Sequence, residues 1–167
     1  MTNILVHIEL AENGTPTASG AHLLALAAQL GTPVAVAASA ERDSTAAAIG
    51  AQGAQQVFIG ETEHAAAHPA ASAVAALQAA IDAYAPAAVL ASNSAVAREV
   101  IGRLSVRTGN PVVLEAVDLA QRDGRIAASH SVFGGTYVTE STAGAGIPLI
   151  TVASSGSEPL PAATAQV

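Results

Sequence analysis

From Asn3 to Val106 the chain alternates short apolar runs with stretches of helical spacing, and little separates them. Asn3–Glu9 (NILVHIE) is rich in β-branched residues and predicts a first strand. The turn Ala11–Pro16, with Asn13-Gly14 at its centre, leads to a predicted helix over Ser19–Leu30. Leu23, Leu26, Ala27 and Leu30 share one face of it, and Gly31 stops it. Pro33–Ala38 (PVAVAA) predicts a buried strand, Thr45–Ile49 a short helix closed by Gly50 and Gly53, and Gln56–Ile59 a third strand. Pro69–Tyr84 reads as a helix with Pro69 in its first turn and Val74, Leu77 and Ile81 in register. Ala87–Ala91 is the fourth strand and Val96–Val106 the helix after it. Strands joined through helices pair in parallel, and the helices cover both faces of the sheet.

After Gly109 the rhythm changes. Pro111–Asp118, Arg125–Val132, Thr136–Ser141 and Ile147–Ala153 all look extended. Asp123-Gly124, Gly134-Gly135 and Gly144-Ala145-Gly146 punctuate them, and no helical pattern intervenes. The expected fold is α/β, with a mostly parallel sheet and antiparallel strands at its C-terminal edge. Residues 1–153 are expected to form the domain. Ser154–Val167, rich in Ser, Pro and Ala without periodicity, is expected to be a linker or tail.

Composition narrows the chemistry. Aromatics are only 2% of the chain, so the core must be built from Val, Ile, Leu and Ala, which favours close helix–sheet packing. All six basic residues are arginine and the net charge is −7, which supplies no basic patch for nucleic acid. The absence of cysteine excludes disulfides, thiol catalysis and iron–sulfur ligation. The opening MTNILVHIEL lacks a signal-peptide pattern, and no apolar run has the length of a membrane span. The expectation is a bacterial cytoplasmic protein without membrane insertion. With only 11% charged residues, part of its surface is expected to be covered by a partner.

Several residues are candidates for a site. The corner Ser92-Asn93-Ser94, between a strand and a helix, offers hydroxyls, an amide and backbone N–H groups suited to an anion, and equally suited to capping the helix. The segment after the first strand, LAENGTPTASG, carries neither GxGxxG nor GxxxxGK[ST], which argues against a standard dinucleotide or triphosphate site. His64 and His68 (HAAAH) have the spacing of two metal ligands on a helix. Pro69 disfavours helix at His68, however, and no third ligand is placed, although Glu61 and Glu63 are near. His7 and His22 are isolated in sequence. His130 with Ser129, Ser131 and Asp118 supplies the residue types of a triad but no GxSxG elbow. Gly134-Gly135 permits a tight turn or a close approach, and with Tyr137 suggests an interface. Glu9, Glu115 and Glu140 are scattered, and no catalytic pair of carboxylates is evident, so no enzyme activity is expected.

The succession resembles the N-terminal domain of the electron transfer flavoprotein α subunit over residues 3–153. NILVHIE with Asn13-Gly14, LLALAAQLG before PVAVAA, Gly53-Ala54 before Val57-Phe58-Ile59, and PAAVLASNSAVAREVIGRLSVRTGNPVV are similar to its successive elements. Asp123-Gly124, SVFGGTYVTES and PLITV resemble its closing antiparallel strands. The resemblance implies a three-layer Rossmann-like fold of the adenine nucleotide α-hydrolase-like type. It also implies a heterodimer with a β subunit, and electron transport from acyl-CoA or other flavin dehydrogenases to an acceptor. In that family FAD lies chiefly on a second domain of α, and the first domain forms part of a base on which the FAD domain moves. The sequence stops at Val167, where that second domain would begin, so no FAD-binding residue can be carried over.

The β subunit of the family binds AMP at the corner that corresponds to Ser92-Asn93-Ser94. Here Ala95, Val96, Ala97 and the Arg98–Glu99 pair replace its polar run, and Glu99 is expected to repel a phosphate. No AMP is expected, and Arg98 is expected to form interface ion pairs on a rim. The alternatives are a small adenine-nucleotide-binding module of the universal-stress type, with Gly144-Ala145-Gly146 as its glycine stretch, and a hydrolase using His130.

Overall fold

The structure, a computed structural model, describes residues 2–65, 67–153 and 166; apart from Gln166, the expected linker 154–167 lies outside the described residues. Strands β1 (Asn3–His7), β2 (Thr32–Ser39), β3 (Gln56–Glu61) and β4 (Ala88–Ser92) alternate with helices α1 (Ser19–Leu30), α2 (Arg42–Ala51), α3 (Pro69–Tyr84) and α4 (Ala95–Thr108). Strands β5 (Val112–Ala116), β6 (Asp118–Arg122), β7 (Arg125–Val132), β8 (Tyr137–Thr142) and β9 (Leu149–Val152) follow. Six strands form one sheet in the order β3-β2-β1-β4-β9-β5, with every pairing parallel. The antiparallel strands make a separate sheet in the order β6-β7-β8.

Alternation along the central strands explains the layering. In β1, Ile4 and Val6 enter one apolar cluster with Leu23, Leu24 and Leu26 of α1 and Ile49 of α2. Leu5 enters the opposite cluster with Leu77 of α3 and Leu104 of α4. Ala88 and Leu90 of β4 face the first cluster, Val89 and Ala91 the second. A strand buried on both sides needs apolar residues at consecutive positions, and these runs supply them. Small residues let the layers close. A Cβ placed on Gly60 of β3 would lie 2.6 Å from Cβ of Ala76 in α3, so this helix seats only against glycine.

The expected strand Pro111–Asp118 is broken in two. Glu115 takes a left-handed backbone (φ 59°) and the register of β5 shifts between Val113 and Ala116. Val117 N then donates to Ser129 O at 2.8 Å, which starts the small sheet. That sheet sits on the α1 side, with Leu119, Ile126 and Ala128 in the first cluster. No helix among the described residues is long and apolar enough to cross a membrane.

Candidate functional site

From β1 the chain steps outward to β2 and β3, then crosses back to place β4 on the other flank of β1. In open parallel sheets this reversal opens a crevice at the carboxyl ends of the strands, where ligands bind. The corner Ser92-Asn93-Ser94 stands there, between β4 and the start of α4.

All three side chains of the corner are engaged by the chain itself. Ser92 Oγ donates to Glu9 Oε2 at 2.7 Å, and Ser94 Oγ donates to Glu9 Oε1 at 2.5 Å. Ser94 also caps α4, accepting from Ala97 N at 2.9 Å. Asn93 Oδ1 accepts from Thr151 Oγ1 at 3.0 Å, and its Nδ2 donates to Glu115 Oε1 at 3.4 Å. Glu115 N donates to Thr151 Oγ1 at 2.9 Å, which holds the left-handed residue in place. A helix start attracts anions through its free N–H groups and dipole, and here the carboxylate of Glu9 takes that place.

The sequence points to Glu99 as the residue that repels a phosphate. The structure instead pairs Glu99 with Arg103 at 2.6 Å, one turn along the exposed face of α4. The carboxylate opposing an anion at this corner is Glu9. Arg98, expected on a rim, is about half exposed and reaches Glu115 Oε1 at 3.7 Å.

Beside the corner is a crevice of about 650 Å³, between the ends of β1 and β2 and the starts of α3 and α4. Glu9, Glu12, Glu41 and Glu63 line it, and among the described residues no arginine does. Four carboxylates without a cationic side chain do not fit the pyrophosphate of FAD or the phosphate of AMP. His7, the last residue of β1, also lines the crevice and is buried. Burial lowers its pKa from 6.5 to about 4, against the opposing pull of Glu9, so the ring is neutral at pH 7.

The other candidates are placed as follows. His68 N donates to His64 O at 2.9 Å in the turn before α3, and His68 takes the non-helical φ of −135° that its neighbour Pro69 favours. Among the described residues no three His, Asp or Glu side chains are arranged to hold a metal. His130 Nε2 meets Ser141 Oγ at 2.7 Å, across from β7 to β8. Ser129 and Ser131 alternate to the other face, and Asp118 Oδ1 accepts from Leu119 N at 2.9 Å, so no triad is assembled. A Cβ on Gly146 would lie 3.0 Å from Pro111 Cδ, so the Gly144–Gly146 stretch packs against the entrance to β5.

Gly134 and Gly135 turn the chain between β7 and β8 with φ of 66° and 90°, and Phe133 before them is also left-handed at 52°. Tyr137 pairs with Val132, and its ring meets that of Phe133 edge to face at 6.0 Å. Phe133 is 83% exposed and Val138 70%. The face that buries Ile126 and Ala128 thus runs on through His130, Val132 and Tyr137 beyond the core, and the hairpin overhangs it.

Sequence reasoning names the corner but not what fills it. Glu9, Glu115 and Thr151 are the residues it misses. The signal was the doubly wound order itself, which places the end of β1 beside the end of β4 and hence Glu9 beside Ser92.

A parallel sheet flanked by helices, a crevice at its switch point and a small antiparallel sheet at one side define a Rossmann-like α/β protein. Residues 4–167 match the model of the electron transfer flavoprotein domain, and the chain belongs to that family. It is 33% identical over 167 residues to the electron transfer flavoprotein subunit alpha of Mycobacterium tuberculosis, strain H37Rv, an alignment covering 99% of this chain and 51% of the relative. It is 34% identical over 164 residues to that of Mycobacterium leprae, strain TN, covering 97% of this chain and 50% of the relative. The chain spans about half the length of the curated relatives it matches.

Proposed function

We propose that residues 1–153 are a docking unit of an electron transfer flavoprotein α subunit, without catalytic chemistry of their own. The unit would form, with a β-type subunit, the base on which a flavin-bearing part moves. That part would carry electrons in the cytoplasm from acyl-CoA or other flavin dehydrogenases to an acceptor. The observation that carries the reading is the overhanging β7–β8 hairpin with exposed Phe133, Tyr137 and Val138. Apolar surface of this kind on an otherwise polar rim marks a protein contact. Gly134 and Gly135 shape that contact, and Arg98 borders the sheet edge near Glu115. The acidic crevice supports placing FAD outside this unit, because its side chains oppose a pyrophosphate.

The test is to mix the purified chain with the β-type subunit of its own organism and measure the complex by size-exclusion chromatography with light scattering. A stable heterodimer is expected. Phe133→Ser with Val138→Ser should weaken it at least about tenfold, since buried aromatic anchors carry interface affinity. Failure of the wild-type chain to associate, or stoichiometric flavin on the chain alone, would overturn the reading.

A further inference from the structure

The chain has four asparagines, and they stand in different settings. Asn3 donates from Nδ2 to Tyr84 O and precedes the fully buried Ile4. Asn93 is held by Thr151 and Glu115 and precedes Ser94, whose backbone nitrogen donates to Ser92 Oγ. Asn110 precedes Pro111, which has no backbone N–H. Asn13 precedes Gly14 on the turn between β1 and α1, where residues 11–15 are all exposed.

The side-chain amide of an asparagine is open to attack by the backbone nitrogen of the next residue, and a glycine there leaves no Cβ in the way. Gly14 has φ of 78° and nothing within 4 Å of the place a Cβ would take, so its surroundings leave room for the approach. The amide it would attack is polarised. Asn13 Oδ1 accepts twice from Thr15, from N at 3.1 Å and from Oγ1 at 2.7 Å. Two donors on one carbonyl oxygen draw electrons from its carbon and stabilise the negative charge that the oxygen gains when a nucleophile adds. Gly14 N donates to Ala11 O at 2.8 Å, and this bond must open before the nitrogen attacks. In an exposed turn such opening costs little, and the Asn13–Thr15 bonds are local and do not depend on it.

We propose that Asn13 is a deamidation site that reacts through a cyclic imide, with Thr15 as the activating neighbour. Gly14 nitrogen gives its proton to solvent base and bonds to Asn13 Cγ, while Thr15 holds the oxyanion. The bond from Cγ to the amide nitrogen then breaks, and that nitrogen takes up a proton and leaves as ammonia. Water opens the imide at either carbonyl. Cleavage at Cγ leaves aspartate, and cleavage at the main-chain carbonyl leaves isoaspartate, with the main chain rerouted through Cγ. Either product adds one negative charge to a net of −7, in the turn where Glu12 and Gly14 line the crevice. Isoaspartate also lengthens by one methylene a turn that Ala11 N closes onto Thr15 O at 2.8 Å. The site is separate from the hairpin and stands whether or not the hairpin docks a partner.

The test is to age the purified full chain at mildly alkaline pH and follow its asparagine-bearing peptides by chromatography and mass spectrometry. Aspartate and isoaspartate are expected at position 13, and sooner than any conversion at Asn3, Asn93 or Asn110. Thr15→Val removes the hydroxyl donor and should slow the reaction at least about threefold, the worth of one hydrogen bond. Thr15→Ser keeps the donor and should react at the wild-type rate. Circular dichroism should be the same for all three proteins. The proposal fails if Asn13 persists while another asparagine converts, or if none converts. It fails if aspartate forms without isoaspartate, which would mean direct hydrolysis. It fails equally if Thr15→Val reacts as fast as the wild type or faster, since the bonds from Thr15 would then restrain the amide rather than activate it.

Discussion

Strands β4 and β8 have nearly the same length and opposite surroundings. All five residues of β4 are buried between helices on both faces, while five of the six residues of β8 are exposed. The first strand finds its neighbours within this chain. Among the described residues the second has one neighbour, β7, and an open edge, and its exposed Tyr137 and Val138 are residues that a closed sheet would cover. The difference separates the part of the molecule that makes it fold from the part that would let it assemble.

Substitutions should respect that division. Leu90→Ala in β4 removes a fully buried side chain from the first cluster and should lower the unfolding free energy by about 4 kcal/mol in a denaturant titration. A loss below about 1 kcal/mol would mean that the central sheet is not the seat of stability.

The next effect is one of pH. Folded His7 has a pKa of about 4 against 6.5 in the unfolded chain, so the unfolded chain takes up the proton first as pH falls. The stabilisation is complete above 6.5 and fades as pH drops toward 4, by up to about 3 kcal/mol. Glu9, Glu12, Glu41 and Glu63 face the same crevice. The measurement is therefore the difference between wild type and His7→Gln, which has no imidazole to charge. Parallel stability–pH curves for the two proteins would remove His7 as the cause.

Ser94→Ala deletes the α4 cap and one of the two bonds to Glu9, and should lower the unfolding free energy by about 1 kcal/mol. Smallest of all, Phe133→Ser with Val138→Ser in the hairpin should change the stability of the isolated chain by no more than about 0.5 kcal/mol. A larger loss would show that the hairpin belongs to the folding core.

The parallel half of the molecule was legible because its signals are local. Leu23, Leu26 and Leu30 mark one helix face, and Val34 to Ala37 mark a strand buried on both sides. The separation of the small sheet was not legible, because it turns on Glu115, a residue with no preference for the left-handed backbone it adopts. The corner was visible as a strand–loop–helix junction. Its occupant was not, since Glu9 and Ser94 are 85 positions apart and meet only through the crossover that pairs β1 with β4.

The placement of β9 has a consequence for synthesis. Strand β9 lies between β4 and β5, and among the described residues β5 hydrogen-bonds within its sheet to β9 alone. While the ribosome is still making residues 117–148, the free flank of β4 has no cover and β5 has no place to join. The nascent domain therefore passes through an interval with an adhesive edge, which ends only when residues 149–152 emerge and insert.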